Sequence, residues 1–172
     1  YVPNNMAIIL SGDLDPDITI ELIDKYWGGK TPGTIPEYIP PVEKPITSPI
    51  EHEVFGQDAN YVLLGYRFAG ANTRESDLVT MVDMILSNSG AGLLDLNLNQ
   101  SQKVLASSSS LMNFKDYTTH VLSGNPREGQ SLEEVKKLLL DQLELIKKGS
   151  FPDWLPNAIV SDLKLSRIKS FE

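Results

Sequence analysis

Two histidines, His52 and His120, come first, because a catalytic zinc takes three protein ligands and often draws two histidines from one helical turn. Here the two stand far apart in the chain. His52 lies in Glu51-His52-Glu53 on an expected strand, so both acidic neighbours point away from the imidazole. Neither an inverzincin nor a thermolysin-like spacing is present. A site assembled through space from His52, His120 and a carboxylate is the remaining metal arrangement. A surface role or a hydrogen-bonded core role explains a lone histidine more simply.

Asp13, Asp15 and Asp17 alternate, and Asp24 falls at the twelfth position of a calcium-loop pattern. That loop needs glycine at its sixth position, where Ile18 stands, and Pro16 stiffens it. Helix capping accounts better for the aspartates. Gly90-Ala91-Gly92 suggests a phosphate cradle, but the third glycine of a dinucleotide fingerprint would fall on Asp95, whose charge repels phosphate. No P-loop lysine follows, so a close turn is the better account. Ser107–Ser110 offers hydroxyls, yet a nucleophile elbow needs flanking glycines on a sharp turn. Mid-strand serines instead alternate between two faces. There is no cysteine, which excludes a thiol nucleophile, a thiolate metal site and a disulfide. Carboxylate pairs are numerous and none is singled out. Catalytic, cofactor-binding and metal-ligating residues are therefore all expected to be absent.

The chain has 172 residues, 41% of them hydrophobic, enough for one ordinary core. Its net charge of −8 repels phosphate backbones, so nucleic acid is not an expected partner. No apolar run is long enough to span a bilayer. The reading is a soluble domain, equally suited to cytoplasm or periplasm. The first residue is Tyr1 rather than methionine, which reads as a fragment of a longer protein.

Met6–Gly12 is a continuous apolar run ending in glycine and reads as a buried strand. Asp15 then caps a helix, with Pro16 at its first position and Gly28-Gly29 ending it. Prolines 32, 36, 40, 41, 45 and 49 make residues 30–49 an extended surface linker, since proline removes a ladder donor and disfavours helix before it. Ile50–Phe55 and Asn60–Ala69 read as strands around a Gly56–Asp58 turn. Thr73 or Ser76 caps a helix to about Asn88, with Leu78, Val82, Ile85 and Leu86 on its inner stripe. A short helix over Leu93–Leu98 follows, then strands at Val104–Leu111 and Tyr117–Ser123. Ser131 and Glu134 form a capping box for a helix burying Leu132, Val135, Leu139, Leu143 and Ile146. A last helix starts near Pro152–Pro156 and carries Ile159, Leu163 and Ile168. The order β-α-β-β-α-(α)-β-β-α-α implies an α+β fold: a mostly antiparallel sheet with helices packed on one face. All of 1–172 is expected to be one domain, with the proline-rich linker inside it.

Tyr1-Val-Pro-Asn-Asn-Met6, the apolar run to Ser11-Gly-Asp13, and Asp15-Pro-Asp17 resemble the opening of the second domain of pitrilysin/insulinase-type zinc metallopeptidases and mitochondrial processing peptidases. Tyr26-Trp-Gly28, Tyr61–Tyr66, the helix around Leu78–Leu86 and Gly92-Leu-Leu94 continue the likeness, as does the element order. The resemblance implies a non-catalytic, chamber-forming domain of a larger zinc metalloendopeptidase that hydrolyses peptides. Zinc would sit in the preceding domain, on a His-x-x-Glu-His motif that this chain lacks. The implied partners are that catalytic domain, the second half of the same parent and a peptide substrate, with the acidic surface favouring basic peptides. The alternative is a non-catalytic subunit or scaffold domain of a processing-peptidase-like complex. Second halves of the family usually carry an arginine and, seven residues on, a tyrosine; in ungapped register those places hold Asn99 and Ala106. That departure favours the first-half position.

Overall fold

The computed structural model describes residues 1–39 and 41–171; Pro40 of the expected linker and Glu172 lie outside the described residues. The chain divides into two compact units, Tyr1–Glu53 and Val54–Glu172.

The first unit holds a short 3-10 turn, Pro3–Asn5, and helix α1, Pro16–Trp27. Asp15 caps α1 as expected, its carboxylate accepting from the N–H groups of Asp17 and Ile18 at 3.0 and 3.1 Å. Asn4 and Gly33 exchange two hydrogen bonds of 3.0 Å, tying the turn to the stretch after the helix. The expected buried strand at Met6–Gly12 does not form, and Met6, Ile8, Ile9 and Leu10 are exposed. An apolar run becomes a strand only against a ladder partner, and among the described residues this run has none. The expected strand at Ile50–Phe55 is likewise absent, for the same reason.

The second unit carries the core. Strands β1 (Val62–Ala69), β2 (Ala106–Asn113) and β3 (Tyr117–Asn125) form one antiparallel sheet in the order β1-β3-β2. β2 and β3 are hairpin partners with Ser109 opposite Leu122, and β1 lies on the other side of β3 with Leu64 opposite Leu122. One sheet face meets α2 (Arg74–Leu86) and α3 (Leu132–Lys147), and α4 (Leu155–Lys169) packs on α2. This is the expected α+β arrangement. Leu86, Leu94, Leu98, Val104, Leu122, Val135 and Leu139 form the main core. The inner stripe of α2 differs by one position from expectation: Val79 is buried, whereas Leu78 is exposed. Between α2 and β2 a two-residue α-turn runs into a π-helix, Asp95–Gln100, where a plain short helix was expected.

Capping chemistry sets the start of α3. Ser131 Oγ accepts from the Glu134 N–H at 3.2 Å, and the Glu134 carboxylate accepts from the Ser131 N–H at 2.9 Å. Ser131→Ala is expected to lower stability by about 1 kcal/mol, measured by urea unfolding against the parent chain. An unchanged midpoint would show that packing of Val135 and Leu139 alone holds this end.

Candidate functional site

The only two histidines lie in different surroundings: His52 is exposed in the first unit, and His120 is buried in the second. Among the described residues no group of three or more His, Asp or Glu side chains comes together to hold a metal ion. The through-space zinc arrangement is therefore not built.

His120 instead joins a cluster that sequence reading missed. Val79, Asp83 and Leu86 share a face of α2, being four and three residues apart. Burial of Val79 and Leu86 carries Asp83 down onto the sheet. Ser109 and His120 stand on adjacent strands and point to the same helix-covered face. Ser109 Oγ donates to Asp83 Oδ1 at 2.5 Å and lies 2.7 Å from His120 Nε2, which is 3.2 Å from Asp83 Oδ1. The clue in the sequence was Asp83 itself, a carboxylate on an otherwise apolar stripe.

A serine, a histidine and an aspartate in contact invite comparison with a hydrolase triad, but the protons are in the wrong places. In a triad the serine uses Nε2 and the aspartate holds Nδ1. Here both partners converge on Nε2. A carboxylate only accepts, so Ser109 must give it its single hydrogen. Nε2 must then donate to Ser109 Oγ, and a nitrogen already carrying a proton cannot act as base toward that hydroxyl. With His120 only 2% exposed, the cluster is a polar clamp between α2 and the sheet. The cluster also brings together one histidine and one carboxylate, short of the three protein ligands a zinc site takes.

Two neighbours complete this interface. The Tyr66 ring lies 6.4 Å from the His120 ring, tilted by 37°. Burial pushes the Tyr66 phenol pKa up, with the Lys147 charge pulling it back. Its contribution to stability is thus fully present below the ordinary phenol pKa and is lost as pH rises through the raised folded value. Nearer the start of α2, Ser76 and Thr118 both donate to Asn113 Oδ1, at 3.3 and 3.1 Å.

The remaining sequence candidates are occupied structurally. Asp95 accepts from the Ser87 hydroxyl and the Asn88 N–H, so a carboxylate fills the place a phosphate would need. Gly92 permits a close approach: a Cβ there would lie 2.4 Å from the Leu86 carbonyl oxygen. Of Ser107–Ser110, the first and third face the helices, while Ser108 bonds Ser123 across the open face at 2.7 Å. Asn99 sits in the π-helix and grips the edge of β2: its amide donates to Ser107 O at 2.9 Å and accepts from Ser107 N at 2.8 Å. Ala106, in the expected tyrosine place, is exposed at the start of β2.

The family described as the peptidase M16 inactive domain matches residues 1–163. The chain belongs to this family. No curated protein matches it. Among solved structures, a protease from Helicobacter pylori is similar, with a TM-score of 0.72 and 18% identity over 92% of this chain. That likeness shows a shared fold. The M16 inactive domain described here spans 39% of the Helicobacter pylori chain. It is a domain of a peptidase-family protein, and no described helix is long and apolar enough to cross a membrane.

Proposed function

We propose that this M16 inactive domain is a wall of the substrate chamber in a larger zinc metalloendopeptidase, and that it takes no part in bond cleavage. The observation that carries this reading is the match to the inactive-domain family over residues 1–163. The chemistry of its polar residues agrees. The one Ser-His-Asp contact is a buried clamp with its protons committed, and the histidines form no zinc site with the described carboxylates. Zinc and the water-activating glutamate would belong to a preceding domain bearing His-x-x-Glu-His. The domain would pack against that catalytic domain and against the second half of the same parent, with the whole of 1–172 acting as one non-catalytic domain.

The first-half position is supported by Asn99. Where a second half would offer an arginine to the substrate, this side chain is turned onto the backbone of Ser107. It serves the fold rather than a ligand.

The test is peptide cleavage by a longer chain that extends upstream through the preceding domain and downstream through the second half, with and without a zinc chelator. The 172-residue chain runs beside it. Chelator-sensitive cleavage by the long chain alone is the expected result. Cleavage by the short chain overturns the reading. Inactivity of both moves the assignment to a scaffold domain whose catalytic partner is a separate chain.

A further inference from the structure

Helix α4 is anchored at one end only. Leu155 and Ile159 are buried against α2, in a cluster with Ile85 and Leu93. Residues 160–171 are all exposed. A short helix owes most of its stability to the face it packs, and this end of α4 buries none. Its charge also sets it apart. Residues 163–171 hold Lys164, Arg167 and Lys169 and no acid, in a protein of net charge −8. Lys164, Arg167, Ile168 and Phe171 line one shallow groove. They stand at i, i+3, i+4 and i+7, so they share a helix face. Phe171 continues the last turn through its N–H, which donates to Ile168 O at 3.1 Å.

Helix α1 offers the opposite charge at the same spacing. Asp17, Ile20, Glu21 and Asp24 also stand at i, i+3, i+4 and i+7. All four are exposed. Lys25, the one cation of α1, lies over the Tyr26 ring, 5.5 Å from its centroid. Among the described residues no ion pair engages Asp17, Glu21, Asp24, Lys164 or Arg167. Ile20 and Ile168 are 57% and 61% exposed, so each face carries an uncovered apolar side chain among its charges. Two helix faces of equal spacing and opposite charge match in register when laid side by side.

We propose that a second copy of this chain docks on the end of α4, with the acidic face of its α1 lying along the basic face. Lys164 and Arg167 meet the carboxylates of Asp17, Glu21 and Asp24 of the other copy, while Ile168 and Phe171 cover its Ile20. The contact joins one copy to another and does not depend on the chamber reading.

The test is sedimentation equilibrium of the whole chain over a wide range of concentration, at low and at high salt. Reversible association is expected, and it is expected to weaken at high salt as the charges are screened. Lys164→Glu with Arg167→Glu sets like charges against α1 and is expected to weaken association by about tenfold or more. Glu21→Lys with Asp24→Lys is expected to do the same from the other side. Mixed together, the two charge-reversed chains present opposite faces again and are expected to associate with each other, which misfolding of either could not produce. All four substituted positions are exposed, so the far-UV circular dichroism of each variant is expected to match the parent. A chain that stays monomeric at every concentration overturns the proposal. So does association that salt and both charge reversals leave unchanged, which would place the contact on another surface. A monomer whose shape changes with salt would give the α1 face to its own chain, and that also overturns it.

Discussion

His120→Ala is expected to destabilise the chain by about 3 kcal/mol, because it empties the place of a buried imidazole and takes a partner from the part-buried Asp83 carboxylate. The imidazole is 2% exposed, with Nε2 2.7 Å from Ser109 Oγ and 3.2 Å from Asp83 Oδ1. Without the ring, Asp83 keeps only the Ser109 hydroxyl, and a cavity opens beside Tyr66. Ser109→Ala removes a smaller group and leaves the ring against Asp83, so its cost is expected near 1 kcal/mol. Urea unfolding of both variants, with Asp83→Asn to close a double-mutant cycle, measures the coupling. The order of effects discriminates between a clamp and a catalytic serine. A nucleophile would show the reverse, with Ser109→Ala almost neutral for stability and fatal for activity.

Gly92→Ala is expected to cost about 3 kcal/mol or more, since overpacking against rigid backbone exceeds the ordinary range for an added methyl. Its Cβ would stand 2.4 Å from the Leu86 carbonyl oxygen and 2.7 Å from the Leu86 carbonyl carbon and the Ser87 Cα. All three atoms are backbone at the end of α2, so no rotamer change relieves the clash. Leu93 and Leu94 follow directly and are both buried, which transmits any shift into the core. Gly90→Ala is the control. Nothing lies within 4 Å of its Cβ, and its effect is expected within about 0.5 kcal/mol. Thermal unfolding of the pair decides whether this turn exists for close packing. Equal effects at both positions would mean that backbone freedom, not proximity to Leu86, is what glycine supplies here.

Local signals were the most legible part of the chain. Asp15 before Pro16 and Ser131 three residues before Glu134 specify helix starts through hydrogen bonds that span only a few residues. The alternation of Val62, Leu64, Tyr66 and Phe68 specifies a half-buried strand in the same local way. Met6–Gly12 and Ile50–Phe55 failed because hydrophobicity reports a need for burial, whereas a strand also needs a partner that sequence does not name. The one-position error on α2, Leu78 for Val79, arose because the first turn of a helix belongs equally to two stripes until the helix docks.

The candidate site divides along the same line. Sequence alone established the absence of thiols, the missing His-x-x-Glu-His motif and the helix caps, because each is a matter of residue type or short spacing. It also carried the family resemblance, which depends on order along the chain and not on contact. Only the tertiary structure could bring Asp83, Ser109 and His120 together, from a helix and two strands, and only its geometry showed both partners on Nε2. Likewise the sequence marked Asn99 only as the residue in the arginine place, and the π-helix is what sets its amide against Ser107. Proton placement depends on ångström distances between segments remote in sequence, and those distances exist only once the sheet and its helices have packed.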